Sequence, residues 1–292
     1  MQDRENARYL PGIEFPPNLV AHPALSDCLA GVRDILVVVP SHGLRDTLKK
    51  ALPLLSPESR VCWATKGFEL HTGKLPHQVA AEVLGEDRPV AVLSGPTFAK
   101  EVAEGLPTAM TIASNDEAFG QELAALISGE NFRAYTSDDF IGVEVGGAIK
   151  NVLAIGAGMC DGLGFGANAR IALITRGLVE LTRLGVALGA KHETMMGLAG
   201  MGDLVLTCTD NLSRNRRMGL ALANGMTVSE AQQEIQQVVE GVLAAEAVKE
   251  VADKLDIEMP ICHQVYRILH EGASPREAVG ALMGRELKSE HE

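Results

Sequence analysis

Between residues 33 and 137 short apolar runs alternate with stretches of helical character, and beyond 137 the runs stop. The runs are ILVVV (35–39), VCWAT (61–65), VAVLS (90–94), TAMTIAS (108–114) and FRAYT (132–136). Helical patterns fall over 42–55, near 75–84 and near 116–128, with a short helical segment between the third and fourth runs. Runs that are apolar on both sides, spaced by helices, are the mark of βαβ units and a parallel sheet buried on both faces. After Ser137 the pattern is helical throughout. Asp138-Asp139 stands where a cap belongs for a long helix to about Met159, and a second long helix runs from about Ala167 to Leu188 with Gly189 as its stop. Thr227-Val228-Ser229-Glu230 and Ser274-Pro275-Arg276-Glu277 both have the form of capping boxes. The expected fold is α/β plus all-α: a Rossmann-type parallel sheet domain over 1–137, then an all-helical substrate domain over 138–292. Its ligand site belongs between the two, at the carboxyl ends of the strands.

Length and charge narrow the function. At 292 residues and 46% hydrophobic, the chain has material for about two domains. Its net charge of −12 argues against nucleic acid or an anionic membrane as a partner. An anionic small ligand would need a local basic cluster against that field. The five cysteines are odd in number, widely spaced and without a CxxC, so neither a disulfide framework nor a metal site is expected. MQDRENARYLPG at the start is too polar for a secretory signal, and the apolar stretch 141–169 is interrupted by Glu144, Lys150 and Asp161. A cytoplasmic protein is expected.

A doubly wound dinucleotide domain opens with a strand, G-x-G-x-x-G and a helix, whose N-terminus holds the pyrophosphate. Nothing before Ile35 supplies that unit: residues 1–10 read as the end of a helix or a loop, and 11–23 hold four prolines. The sheet is therefore expected to be N-terminally truncated, with the 35–39 strand beside an open position. Two glycine motifs are decoys. Gly162-Leu163-Gly164-Phe165-Gly166-Ala167 follows a helix instead of a strand. In Gly67–Lys74 the glycines are one residue too far apart for a P-loop, and Leu75 stands where a magnesium-binding hydroxyl belongs.

Several residues could do chemistry. Lys150 lies in VGGAIKNVLAIGAG, flanking a face made by Val145, Ile149, Val152 and Gly156. It is either a lysine snorkelling from the edge of that stripe or, given the small residues around it and Asn151 beside it, an amine of lowered pKa fit to act as a base. Ser213-Arg214-Asn215-Arg216-Arg217 is the densest basic cluster, preceded by Asp203 and Thr207. It is a solvated turn or a phosphate-binding set. Trp63–Gly67, with Lys66, and Ser94–Ala99 each stand at the end of a strand run, and Glu240-Gly241 precedes a helix.

VVVPSH (37–42), WATKG (63–67), SGPTFAKE (94–101), GGAIKNVLAIGAGMCDG (146–162), GANARIALITRGL (167–178), GDLVLTCTDNLSRNRR (202–217) and VVEG (238–241) occur in one order. Together they resemble the bacterial NAD(P)-dependent glycerol-3-phosphate dehydrogenase family, along essentially the whole chain. The family's first strand, glycine-rich turn, first helix and second strand have no counterpart here. The resemblance implies hydride transfer between sn-glycerol 3-phosphate or dihydroxyacetone phosphate and NAD or NADP, without a metal, feeding glycerophospholipid synthesis in a possible homodimer. It implies that Lys150 is the proton-accepting lysine, and that Lys66, Gly95, Thr97, Lys150, Asp203, Ser213, Arg214 and Asn215 contact substrate. It places Lys66, Ala99, Arg214, Val238 and Glu240 near the cofactor. Two other readings stand beside it: a catalytically impaired chain that only binds a phosphorylated small molecule or serves in assembly, and a related dehydrogenase for another small acid or phosphate.

Overall fold

The computed structural model describes residues 4–287 and 289. It opens with an antiparallel pair, β1 (Glu5–Asn6) and β2 (Leu10–Glu14), then a short helix α1 (Leu25–Leu29). The first segment is thus not the end of a helix or a plain loop. Arg4 holds the pair closed by donating to the carbonyls of Phe15 (3.1 Å) and Pro16 (2.6 Å).

All five apolar runs enter one sheet: β3 (Asp34–Val37), β4 (Arg60–Trp63), β5 (Val90–Ser94), β6 (Thr108–Ser114) and β7 (Phe132–Ser137), in that spatial order. The helices between them are α2 (Ser41–Ala51), α3 (Pro76–Leu84), α4 (Ala99–Ala103) and α5 (Glu117–Ile127). α2 and α3 bring Leu44, Leu48, Val79 and Ala80 onto the face carrying Val37, Val61, Trp63 and Val92. α5 brings Phe119 and Leu123 onto the face carrying Cys62, Ala91, Leu93 and Ile112.

The sheet is not wholly parallel. β3, β4 and β5 run together, β6 pairs antiparallel with β5, and β7 follows β6 in parallel. The cause is α4. Five helical residues rise only about 7.5 Å, too little to carry the chain back along a five-residue strand of about 17 Å. The chain turns at the carboxyl end of β5 and returns beside it. β3 is the edge strand, and no described residue pairs with its outer side. Beside that edge Leu36 and Val38, on the sheet face opposite Val37, are left 52% and 67% exposed.

The second half contains α6 (Phe140–Gly162), α7 (Gly166–Ala187), α8 (His192–Met195), a π-helical turn (Leu198–Gly202), α9 (Asp203–Thr209), α10 (Arg214–Ala223), α11 (Val228–Ile235), α12 (Glu240–Leu255), α13 (Pro260–His270) and α14 (Pro275–Met283). The expected caps are present. Asp139 Oδ1 accepts from the Gly142 amide at 2.8 Å, and Thr227–Glu230 and Ser274–Glu277 close capping boxes. The decoy motif at 162–167 joins α6 to α7, with Gly164 and Gly166 at positive φ.

α6 departs from the one-faced helix read in the sequence. Every residue from Gly142 to Cys160 is buried, because helices and the sheet surround it. By length and apolarity it could cross a membrane, yet 89% of that window lies inside the protein, as in a core helix. The glycines make this packing possible. A Cβ on Gly158 would lie 2.0 Å from the Arg216 carbonyl oxygen, and one on Gly219 would lie 2.0 Å from that of Ile155. α6 and α10 therefore touch backbone to backbone.

Candidate active site

The site forms where the ends of β4 and β5 meet α6 and α9. The chain leaving β4 carries Lys66, whose Nζ donates to Asp203 Oδ2 (2.6 Å) and to the Gly95 carbonyl (3.2 Å). Gly95, just past β5, has a φ of 153°, and a Cβ there would meet the Met110 backbone at 3.0 Å. Thr97 Oγ1 donates to the same carbonyl at 3.2 Å. From α6, Lys150 Nζ donates to Asp203 Oδ1 (2.5 Å) and Thr207 Oγ1 (3.1 Å). Thr207 in turn donates to the Asp203 carbonyl at 2.6 Å.

One carboxylate, 1% exposed, thus holds two ammonium groups, one on each oxygen. Burial pushes the Asp203 carboxyl up, but Lys150 and Lys66 together overcome it and hold it below the usual carboxylate range. For Lys150 burial is the largest effect, and the Lys66 charge adds to it against the pull of Asp203. Its amine is brought down to about 8. The cluster carries a net positive charge in an acidic protein, which suits an anionic ligand. Its amine is also close enough to neutrality to move protons.

A second network begins one residue on. Asn215 Nδ2 donates to Asn151 Oδ1 (2.9 Å), and Asn151 Nδ2 to Glu240 Oε2 (3.4 Å). The Gly241 amide donates to Asn215 Oδ1 at 2.9 Å. Gly241 has to be glycine, since a Cβ would lie 2.7 Å from Asn215 Oδ1 and 2.8 Å from the Asn151 carbonyl oxygen. Lys150 and Asn151, adjacent on α6, thereby tie α9, α10 and the start of α12 together.

The basic cluster divides. Ser213 caps α10 by accepting from the Arg216 amide (3.2 Å). Arg216 is buried against Asp161 (2.6 Å) and Asn211 (3.0 Å), so its guanidinium is structural. Arg214 is half-buried and makes no side-chain hydrogen bond or ion pair among the described residues, leaving its donors for a ligand. Ala99 and Val238 are exposed. The Gly67–Lys74 segment is a turn clasped by Arg45 on Glu69 (2.7 Å), not a phosphate loop.

Sequence reading did not find Glu144, which accepts from Trp63 and His77. The only signal was an acid inside an otherwise apolar helix. Ser94, which opens the stretch expected at the end of a strand, has a buried hydroxyl with no partner among the described residues.

Arg214, with open donors, and the exposed apolar Ala99 and Val238 have the chemistry to border the nicotinamide end of a dinucleotide. No strand among the described residues leads through a G-x-G-x-x-G turn into a helix; β3 runs through Pro40 into α2 instead.

Family models for the N-terminus and the C-terminus of NAD-dependent glycerol-3-phosphate dehydrogenase match residues 1–120 and 139–280. The glycerol-3-phosphate dehydrogenase (NAD(P)+) of Psychromonas ingrahamii is 56% identical over 289 residues, covering 99% of this chain and 86% of that protein. That of Shewanella sediminis is 57% identical over 290 residues, with the same coverage. The crystal structure of glycerol-3-phosphate dehydrogenase from Coxiella burnetii superposes with a TM-score of 0.94 at 50% identity, covering 97% of this chain and 86% of that one.

Proposed function

Because the chain belongs to the NAD-dependent glycerol-3-phosphate dehydrogenase family, we propose that it interconverts sn-glycerol 3-phosphate and dihydroxyacetone phosphate, with Lys150 as the base. The observation that supports this most is the buried Asp203 carboxylate holding both Lys150 and Lys66.

In the oxidative direction Lys150 takes the proton of the C2 hydroxyl as hydride leaves C2. Bound NAD or NADP supplies the nicotinamide that accepts this hydride. In the reductive direction the Lys150 ammonium returns the proton, and Lys66 steadies the charge developing on the oxygen. Asp203 and Thr207 hold the Lys150 amine in place. Arg214 anchors the phosphate with Ser213 and the remaining amide hydrogen of Asn215, orienting the reacting carbon from a distance. Gly95 and Thr97 border the glycerol. Lys66, Ala99, Arg214, Val238 and Glu240 line the nicotinamide side. The reading includes a cytoplasmic enzyme of two domains, 1–137 and 138–292, dimeric, with no metal, membrane or nucleic-acid partner.

The test is dihydroxyacetone phosphate reduction by the purified chain, followed through NADH and NADPH absorbance, beside Lys150→Ala. The expected loss is about 10²–10⁴-fold in kcat with a smaller change in KM. Near-normal turnover in an active Lys150→Ala protein would leave Lys150 a core lysine.

A further inference from the structure

We infer that Glu144 is a positioning residue: its buried carboxylate sets the register between the end of β4 and α6, and so delivers Lys66 to Asp203 beside Lys150. The side chain of Glu144 is fully buried. Its Oε1 accepts from the indole N–H of Trp63 (3.0 Å) and the backbone N–H of His77 (2.9 Å), while Oε2 lies 2.6 Å from His77 Nδ1. Trp63 is the last residue of β4, and His77 sits in the first turn of α3, where amides lack helical partners. One carboxylate therefore ties α6 to two elements of the sheet layer.

The spacing gives this tie a consequence for chemistry. Gly147 follows Glu144 by one turn of α6, and Lys66 follows Trp63 by three residues along the other chain. A Cβ on Gly147 would lie 3.1 Å from both Cγ and Cδ of Lys66. The lysine stem thus crosses α6 where the helix has no side chain, one turn beyond the Trp63 contact. Lys150, a further three residues on, meets the other oxygen of the carboxylate that Lys66 reaches. If Glu144 released Trp63, the crossing at Gly147 would lose its reference point and Lys66 its line to Asp203. A purely structural glutamate would hold the two halves together without affecting which charge faces Lys150.

The test compares Glu144→Ala with Glu144→Gln in the full chain. Glutamine retains an oxygen for both N–H donors, whereas alanine leaves them unpaired. Three readouts are taken: the pH dependence of Lys150 acylation mapped by mass spectrometry, the emission of Trp63, which is the only tryptophan, and kcat against KM for glycerol 3-phosphate. For Glu144→Ala the Lys150 midpoint is expected to move up, because Lys66 no longer faces it. Trp63 emission is expected to shift, and kcat to fall by about 10²-fold, the cost of misplacing a group by ~1 Å. Glu144→Gln is expected to restore all three. A folded Glu144→Ala protein with an unchanged Lys150 profile and unchanged kcat overturns the inference. If Glu144→Ala does not fold, Trp63→Phe removes one donor and keeps a smaller aromatic ring in its place, and an unchanged Lys150 profile there overturns it equally. The kinetic readout rests on the proposed function, but the acylation readout does not. A wild-type chain that never turns over defeats that function while still leaving the Glu144 inference open to test by labelling.

Discussion

Replacing Lys66 by Met tests whether the two ammonium groups on Asp203 act on one another. Methionine keeps an unbranched apolar stem that can cross Gly147, and removes the charge together with its hydrogen bonds to Asp203 and the Gly95 carbonyl. In the native site the Lys150 amine sits near 8, depressed first by burial and then by the Lys66 charge, against an ordinary value of 10.5. Without Lys66, the Asp203 carboxylate no longer divides its charge between two amines. A neighbouring charge within ~4–6 Å moves a pKa by about 1–3 units, and the lower end applies here because burial, the larger cause, is unchanged. The Lys150 midpoint is therefore expected to rise by about one pH unit, which is about 1.4 kcal/mol. Oxidation requires the neutral amine, so its rate climbs as pH rises through the midpoint. Below both midpoints Lys66→Met should lose about tenfold in kcat. The loss should shrink as pH rises and level off above the new midpoint at a pH-independent remainder, the cost of removing the Lys66 charge from the reacting oxygen. The assay is glycerol 3-phosphate oxidation at saturating substrate from pH 6.5 to 10. A rising limb at the native pH, or one displaced downward, would refute the coupling.

Arg214→Ala is expected to raise KM for glycerol 3-phosphate by the equivalent of about 1.5–3 kcal/mol, with no comparable penalty for glycerol. Equal losses for both ligands would make Arg214 structural. Glu180, deep between α7 and α13, accepts from the amides of Ile261 (2.6 Å) and Cys262 (3.1 Å), and burial raises its carboxyl from 4.5 to about 7. A raised carboxyl adds stability that is full below about 4.5 and lost as pH climbs through about 7. Glu180→Gln is thus expected to flatten a decline of order 3 kcal/mol in melting experiments across that window, and an unaltered slope would exclude Glu180 as its source. Gly158→Ala is expected to destabilise the fold by about 1–3 kcal/mol, since its Cβ would sit 2.0 Å from the Arg216 carbonyl oxygen. A melting temperature equal to wild type would show that α10 can move away freely.

What could be read along the chain was what depends on near neighbours. The five strand runs, the cap at Asp139 and the boxes at Thr227 and Ser274 are each written within a few residues, because caps and side-chain periodicity are local chemistry. Lys150 among glycines, and Lys66 and Gly95 at the ends of strand runs, were candidates for the same reason. Which groups meet across the fold was decided elsewhere. A short α4 reversed β6, and the packing of the whole second half buried α6 on every side. Lys66 and Lys150 share one carboxylate that lies 137 residues from the first and 53 from the second. Within SRNRR, Arg216 went to Asp161 while Arg214 has no side-chain partner among the described residues, a division that spacing alone does not encode. Glu144 shows the difference most directly. In the sequence it interrupts an apolar helix, and only the arrival of Trp63 and His77 from the sheet layer makes a buried carboxylate there favourable, by giving it hydrogen-bond donors that water would otherwise supply.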